Sequence, residues 1–441
     1  MAHGLFADTI YALSSGAMPS GVGVIRMSGP HVRQAVREIA GIVPSDRLAT
    51  LRPFSDPDGH IIDRGIVLFF QGPRSFTGED CAELHLHGGR AVVAAMLTAL
   101  GKMQGLRQAE AGEFTRRSFL LGKVDLTGAE ALADLIAAET ESQRRLALEN
   151  ADGRQKALYD GWARRLLHAR AMIEAELDFA DEGDVPGSVA AQIWSDVGKL
   201  VGELHAHIDG YHASEIIRDG FRVVLLGRPN VGKSSLLNAL ARRDVAIVTD
   251  IAGTTRDLIE VTLDLGGHKV VVTDTAGIRS TDDPIERIGV DRARQAADRA
   301  DLVLVLDDTE PGVGPTETFW TGPALRVGTK ADMLSNTASD QDFWVSAIRG
   351  DGIGDLLVEI ETRAKRATNI TGEAIPSRVR HVELLRAAGR HIERALASDD
   401  VDLELRAEEL RLSASALERI TGQSNVEDLL GVIFSQFCVG K

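Results

Sequence analysis

Hydrophobic periodicity divides the chain into three textures. Over residues 8–121 short apolar runs alternate with polar, glycine-rich segments. Gly23-Val-Ile-Arg-Met27 and Ile66-Val-Leu-Phe-Phe70 predict strands, and residues 91–100 predict a helix. From Leu126 the period lengthens: Leu126, Ala129, Leu132, Ala133, Ile136 and Ala137 recur at helical spacing. Ala-rich, charge-rich sequence continues to Phe179, with Gly153 and Gly161 as weak points, until Asp178-Phe-Ala-Asp-Glu-Gly-Asp-Val-Pro186 breaks the pattern. A second helical run covers residues 190–217. Strand-like and helix-like runs then alternate, and helical spacing returns over 377–397, 403–420 and 426–437. Helices therefore flank an α/β stretch on both sides. That predicts one helical domain interrupted by an inserted domain, since domain termini often lie close together. The expected fold class is multidomain α/β plus α. An N-terminal α+β domain covers 1–121, an all-α helical domain covers 122–217 and 369–441, and an inserted P-loop α/β domain covers 218–368.

The inserted stretch opens on the apolar, β-branched run 221–226. Gly227-Arg-Pro-Asn-Val-Gly-Lys-Ser234 follows, then Ser235-Leu-Leu-Asn-Ala-Leu240, which starts like a helix. Strand, glycine-rich turn and helix make the setting of a phosphate-binding loop. Its amide N–H groups, including those of Asn230, Val231, Gly232 and Ser235, face phosphate oxygens together with the helix N-terminus. Lys233 can reach the terminal phosphates, and the Ser234 hydroxyl can ligate Mg²⁺.

Four further elements follow in order. Thr249-Asp250-Ile251-Ala252-Gly253-Thr254-Thr255 stands at switch-loop distance and can place a hydroxyl on Mg²⁺ and an amide on the γ-phosphate. The strand 270–274 ends in Asp274-Thr275-Ala276-Gly277; Asp274 suits the outer contact to Mg²⁺, and the Gly277 amide suits the γ-phosphate. Thr329-Lys330-Ala331-Asp332 follows the strand-like Leu325-Arg-Val-Gly328. Asp332 can accept both N–H donors of a guanine edge, which adenine lacks, and Lys330 can lie along the base. Val345-Ser346-Ala347 can offer an amide to the guanine carbonyl. Each element alone is weak, but in this order they describe a GTPase domain.

The residue after Asp274-x-x-Gly277 is Ile278, which cannot hydrogen-bond, so the attacking water must be positioned from elsewhere. Asn230 and the Thr249–Thr255 segment can together ligate a monovalent cation. Glu286 lies beyond Ser280-Thr-Asp-Asp-Pro284 and can hold the water, although the residues alone read more plainly as a surface helix acid.

A net charge of −16 argues against a chain that coats nucleic acid by itself, so an RNA substrate needs a local basic patch or a partner. The two cysteines, Cys81 and Cys438, form no disulfide framework and suit a reducing cytoplasm. The N-terminus does not read as a signal peptide, and no apolar run is long enough to span a bilayer, so a cytoplasmic protein without a membrane role is expected. His85 and His87 alternate along a strand, but no further ligands stand nearby, and an ordinary polar or packing role is expected.

These motifs, with several others, resemble the bacterial tRNA-modification GTPase family MnmE, also called TrmE. The resemblance runs through Asp8-Thr-Ile-Tyr-Ala-Leu13, Gly21-Val-Gly-Val-Ile-Arg26-Met-Ser-Gly29, Ser75-Phe-Thr-Gly-Glu-Asp80 and His87-Gly-Gly89. It continues through Gly112-Glu-Phe-Thr-Arg-Arg-Ser-Phe-Leu-Leu-Gly-Lys123-Val-Asp-Leu126, Ala129-Glu-Ala-Leu-Ala-Asp-Leu-Ile136 and Asp428-Leu-Leu-Gly-Val-Ile-Phe-Ser-Gln-Phe-Cys-Val-Gly-Lys441.

The resemblance implies an N-terminal dimerisation domain like folate-dependent aminomethyltransferases, a helical domain, and a GTPase domain inserted in it. It implies a homodimer that forms a heterotetramer with an FAD-dependent partner of the MnmG/GidA type. Together they install an aminomethyl or carboxymethylaminomethyl group at carbon 5 of the wobble uridine of certain tRNAs. The one-carbon unit comes from methylenetetrahydrofolate, and the folate site takes that or a 5-formyl derivative. Hydrolysis of GTP is activated by K⁺ and by pairing of GTPase domains. By position, the resemblance puts K⁺ on Asn230, Thr249, Thr254 and the carbonyl of Ile251, and Mg²⁺ on Ser234 and Thr255. It makes Glu286 the catalytic water-positioning acid and assigns folate to Arg26, Glu83, Lys123 and Lys441. One departure stands out: Thr329 occupies the place where the family's guanine motif usually begins with Asn. The rival readings are a regulatory or ribosome-assembly GTPase, for which no RNA-binding appendage is visible, and a folate-dependent aminomethyltransferase with a merely regulatory GTPase.

If Glu286 positions the attacking water, Glu286→Ala lowers single-turnover GTP hydrolysis in saturating K⁺ by about a hundredfold or more, with GTP affinity nearly unchanged. A surface acid predicts a change within about twofold.

Overall fold

In a computed structural model the described residues are 6–178, 187–247, 259–274, 294–308, 322–333, 341–369, 374–397, 402–424, 427–435, 437 and 439–440. The chain forms two compact units, Met1–Ala133 with Leu417–Lys441, and Asp134–Ala416.

Period-two alternation builds the sheet of the first unit. Its strands are β1 (Thr9–Leu13), β2 (Ser20–Ser28), β3 (Thr50–Ser55), β4 (Ile61–Phe70), β5 (Cys81–Gly88) and β6 (Leu106–Gln108). They lie in the order β3-β4-β5-β2-β1-β6, antiparallel except for the β1–β6 pair. The segments 23–27 and 66–70 fall within β2 and β4, and 91–100 falls within helix α2 (Arg90–Gly101). Tyr11, Ile25, Met27, Val67, Phe69, Ala82 and Leu84 point to one face, where α2 and α1 (Val32–Ala40) cover them. The alternate positions, among them Arg26, Ser28, Glu83 and His85, take the other face.

At the end of this sheet, α3 (Glu113–Leu120) carries Arg117, whose side chain is 1% exposed yet charged. It is held by Asp8 at 2.8 Å, Glu113 at 3.1 Å and Glu79 at 3.3 Å. A charge this deep is tolerated only when paired and hydrogen-bonded. The chain's last helix, called α13 below, covers Glu427–Ser435 and joins this unit through a small core of Leu126, Ala129, Leu430, Phe434 and Phe437. Beyond it, Val439 bridges Ala111, and Ser14 Oγ donates to the Gly440 carbonyl at 2.8 Å.

The helical stretch after Leu126 is cut into α4 (Leu126–Ala137), α5 (Glu141–Ala151) and α6 (Arg154–Asp178). Gly153, at φ +76°, is a real break, whereas Gly161 lies inside α6. A single interior glycine costs only about 1 kcal/mol against alanine, too little to end a long helix. The break at 138–140 comes instead from a start signal: Gln143 Oε1 accepts the N–H groups of Glu139 at 2.8 Å and Thr140 at 3.0 Å. The expected apolar stripe on α4 is also incomplete, since Ile136 is 40% exposed.

In the second unit α7 (Gly187–Asp209) packs on α6 and on α11 (Val379–Leu396), and α8 (Tyr211–Asp219) follows it. Chain on both sides of the α/β stretch thus meets: Arg378 pairs with Asp134 at 2.7 Å, and Ser214 Oγ donates to the Pro376 carbonyl at 2.5 Å. The α/β stretch lies between helical segments that are in contact with each other. It contains β7 (Phe221–Leu226), α9 (Lys233–Ala241), β8 (Ile259–Leu265), β9 (His268–Asp274), β10 (Leu302–Asp307), β11 (Ala324–Gly328), β12 (Phe343–Trp344) and α10 (Ile353–Ala367). The strand order is β12-β11-β10-β7-β9-β8, with only β8 antiparallel to its neighbour. Near-continuous apolar runs such as Leu302-Val-Leu-Val-Leu306 suit a parallel sheet buried on both faces. Helix α12 (Leu403–Thr421) precedes the C-terminal α13.

His207 on α7 is buried beside Tyr159, whose hydroxyl lies 3.0 Å from Nε2, and Trp162, whose ring centroid is 5.2 Å away. Burial, reinforced by His381, pushes its pKa from 6.5 down to about 4. The unfolded chain therefore takes up a proton that the folded chain refuses as pH falls from 6.5 towards 4. Stability is full above that window and declines through it, by roughly 3 kcal/mol at the lower end. Denaturation followed by tryptophan fluorescence at stepped pH checks this: His207→Gln should flatten the acid decline, and an unchanged slope contradicts it.

Candidate functional site: a phosphate loop and a guanine loop on one sheet edge

Strand β7 ends at Leu226, and the chain turns sharply into α9. Gly227, Asn230 and Gly232 have φ of +153°, +62° and +108°. A Cβ at Gly227 would lie 2.6 Å from the Leu306 carbonyl oxygen, so only glycine fits there. Lys233, the first residue of α9, folds back and donates from Nζ to the carbonyls of Gly227 at 2.7 Å and Arg228 at 2.9 Å. Burial holds its pKa below the usual lysine value, partly offset by the Asp274 carboxylate. The ammonium thus sits in the mouth of its own loop, where a phosphate oxygen would replace two neutral carbonyls with a stronger partner.

Ser234 Oγ donates to Asp274 Oδ2 at 2.6 Å. Asp274 is the buried last residue of β9, which runs parallel to β7 and pairs Leu225 with Asp274. Two hard oxygens from neighbouring elements beside a phosphate loop fit Mg²⁺, which takes one or two protein oxygens and completes its shell with water and phosphate. Asn230 is exposed on the loop and Ser235 in the first turn of α9, and Val231 is buried under the loop.

The residues expected to read guanine assemble next to it. β11 leads into Thr329 and Lys330, the latter at φ +55°, and a 3₁₀ turn Ala331–Met333 presents Asp332. Ser346 Oγ donates to Asp332 Oδ1 at 2.6 Å, and this bond holds the carboxyl below its ordinary pKa. The loop carrying Ser346 and Ala347 is fixed by Ala331 N–H to the Val345 carbonyl at 3.2 Å. Lys330 pairs with Asp308 at 2.6 Å, and Arg228 with Asp307 at 3.3 Å. Thr329 Oγ1 donates to the Val231 carbonyl at 2.5 Å and so ties the guanine loop to the phosphate loop.

Asp307 and Asp308 were not singled out in the sequence. The available signal was their place: Asp307 ends, and Asp308 directly follows, a buried strand on the edge where Asp274 also ends one. Trp344 was missed as well; its ring packs on Gly328, where a Cβ would lie 2.3 Å from it. Thr249, Asp250, Ile251, Ala252, Gly253, Thr254, Thr255, Thr275, Ala276, Gly277, Ile278, Glu286, Cys438 and Lys441 lie outside the described residues.

In the first unit Arg26 and Glu83 face each other across β2 and β5, and Arg26 Nη2 meets Glu83 Oε1 at 2.9 Å. The other carboxylate oxygen lies 3.3 Å from His85 Nε2. Arg26 also lies over the Phe76 ring at 5.8 Å. Lys123 Nζ donates to the Pro73 carbonyl at 2.8 Å, and its stem packs at Gly78. His87 pairs with Asp63 at 2.9 Å. Neither histidine joins a metal-capable group among the described residues, where Asp56, Asp58 and His60 alone come together.

Comparison with known proteins agrees with both units. The family model for the MnmE helical domain matches residues 126–438, and that for the N-terminus of the GTP-binding protein TrmE matches residues 9–123. The chain is 59% identical to the tRNA modification GTPase MnmE of Mesorhizobium japonicum, over 98% of this chain and 99% of that one. It belongs to the MnmE family.

The MnmE of Rhizobium meliloti is 55% identical, over 99% of this chain and 100% of that one. The structure is also similar to that of Aquifex aeolicus Era bound to GDP and AlF4⁻, at 20% identity, over 41% of this chain and 69% of that one, with a TM-score of 0.26. That last likeness is too loose to carry weight. No helix among the described residues is long and apolar enough to cross a membrane.

The Asp332 carboxylate is the group on this MnmE edge suited to the two N–H donors of guanine. Asp332→Asn replaces one acceptor with a donor and should move preference from GTP towards XTP by roughly tenfold or more. Competition binding with the two nucleotides measures it, and an unchanged ratio removes Asp332 from base recognition.

Proposed function

We propose that this chain is a K⁺-activated GTP hydrolase of the MnmE type. It works with an FAD-dependent partner of the MnmG/GidA kind to modify carbon 5 of the wobble uridine of certain tRNAs. The observation that carries this reading is a phosphate loop joined to a guanine-reading carboxylate on one sheet edge, in a chain 59% identical to a tRNA modification GTPase.

Lys233 exchanges its carbonyl partners for β- and γ-phosphate oxygens, and the amides of the loop and of the α9 N-terminus hold the rest of the triphosphate. Ser234 and Thr255 would hold Mg²⁺, with Asp274 as its outer contact, and the ion would supply positive charge to the triphosphate. Asp332, oriented by Ser346, selects guanine. Ile278 cannot orient water, so Glu286 does so, and K⁺ held by Asn230, Thr249, Thr254 and the Ile251 carbonyl supplies the charge an arginine would otherwise bring.

The one-carbon donor, a tetrahydrofolate derivative such as the 5,10-methylene or 5-formyl form, binds at Arg26, Glu83, Lys123 and Lys441. Support comes from the first unit's own geometry. Arg26 and Glu83 are cross-strand partners, and Ala12 on β1 pairs with Arg26 on β2. The chain end reaches the same strand, since Gly440 stands against Leu13 and Ser14. Arginine and lysine suit the folate glutamate tail, and Glu83 suits the paired donors of the pterin. The protein acts in the cytoplasm, as a homodimer that joins the partner in a heterotetramer.

Reconstitution tests the whole. The chain, the partner, GTP, Mg²⁺, methylenetetrahydrofolate, glycine or ammonium and unmodified tRNA are incubated, and tRNA nucleosides are analysed by mass. Modified uridine is expected in KCl and not in NaCl, and not with Arg26→Ala. Equal yields in the two salts refute the K⁺ role, and a full yield with Arg26→Ala refutes the Arg26 assignment.

A further inference from the structure

We infer that, among the described residues, the guanine site leaves N7 of the base without a direct side-chain donor, because Thr329 commits its single hydroxyl proton to the phosphate loop. The inference rests on the GTP reading above and deepens it.

Guanine offers donors on its Watson–Crick edge and acceptors at O6 and N7. Asp332 is suited to the donors, and the amides around Ser346 and Ala347 to O6. N7 needs a donor, and Thr329 opens the loop that presents Asp332 and lies against the phosphate loop. It is 4% exposed, and its Oγ1 lies 3.7 Å from where a Cβ would stand on Gly232 of the phosphate loop.

A threonine hydroxyl has one proton and two lone pairs. The Val231 carbonyl has no proton to give, so at 2.5 Å the proton must lie on Thr329 and point to Val231. What remains on that oxygen is acceptor capacity, which N7 cannot use. Three neighbouring backbone donors are committed as well. Thr329 N–H goes to the Asp307 carbonyl at 2.8 Å, Ala331 N–H to Val345 at 3.2 Å, and Met333 N–H to Lys330 at 2.9 Å. The Lys330 ammonium is drawn to the Asp308 carboxylate at 2.6 Å, a charged partner stronger than a neutral ring nitrogen. An amide side chain at 329 carries two N–H donors and can serve Val231 and N7 together. Threonine keeps the link between the loops and gives up the base contact. Thr329 is thus a positioning residue that also sets which atoms of the base are read.

The experiment uses 7-deaza-GDP, in which a C–H replaces N7. Displacement of a fluorescent GDP analogue from the full chain, with Mg²⁺ present, gives affinities for GDP, 7-deaza-GDP and ADP. GDP and 7-deaza-GDP should agree within about threefold, the low end of one hydrogen bond's worth. A loss of more than about threefold with the 7-deaza compound overturns the inference, because N7 then has a donor. Thr329→Asn should create the discrimination, with 7-deaza-GDP weaker than GDP by roughly threefold to tenfold; equal affinities in that variant also overturn it. Thr329→Val removes the tie to Val231 and should weaken GDP and 7-deaza-GDP by the same factor; an effect on GDP alone overturns the inference. The wild-type comparison stands even if a variant misfolds. Failure to prefer GDP over ADP would defeat the guanine reading itself, an outcome separate from the N7 result.

Discussion

The buried parallel sheet of the second unit is the constraint on which its chemistry depends. β7, β9, β10, β11 and β12 run parallel, so their carboxyl ends meet at one edge. Apolar side chains fill both faces, leaving little room for polar groups inside. Function must then sit in the loops beyond the strand ends. Gly227 follows β7, Asp274 closes β9, Asp307 closes β10 and Thr329 follows β11. Residues up to a hundred positions apart in sequence become neighbours because the strands that deliver them are hydrogen-bonded side by side.

Charge at this edge is arranged in short-range pairs. Arg228 faces Asp307, Lys330 faces Asp308, and Ser234 is bonded to Asp274. Lys233 differs, since its ammonium is held by carbonyls of the loop that it closes. Carbonyls are weaker partners than phosphate, so the loop keeps its shape while leaving the lysine free to change partner. A chain of net charge −16 thereby presents a local site suited to a polyanion.

The first unit solves a different packing problem. One face of its sheet is covered by α1 and α2, and the other keeps polar positions such as Arg26, Glu83 and His85. The buried Arg117 gathers Asp8, Glu79 and Glu113 from three separate segments. Removing all three carboxylates would leave an unpaired charge in a place water cannot reach, which a folded chain does not tolerate. The cluster therefore holds the entry to β1 and the loop before β5 in fixed places, close to the strands that carry Arg26 and Glu83.

The sequence by itself determined the motifs and the kind of element that carries each. A phosphate loop, a strand ending in Asp274 and a Thr-Lys-x-Asp loop are local signals, written in contiguous residues whose backbone demands are local too. The flanking helical periods likewise announced helices on both sides of the α/β stretch. Helix boundaries were legible only where a residue acts on its own backbone: Gly153 with its positive φ breaks the helix, whereas Gly161 costs too little to do so. Tertiary structure alone decided the long-range partners. Nothing near Thr329 in sequence points to Val231, nothing near Arg26 points to Glu83, and nothing near Arg228 points to Asp307. The physical reason is register. Which side chains meet depends on strand order and alignment, set by the summed packing of both sheet faces, and no single stretch of chain contains that sum.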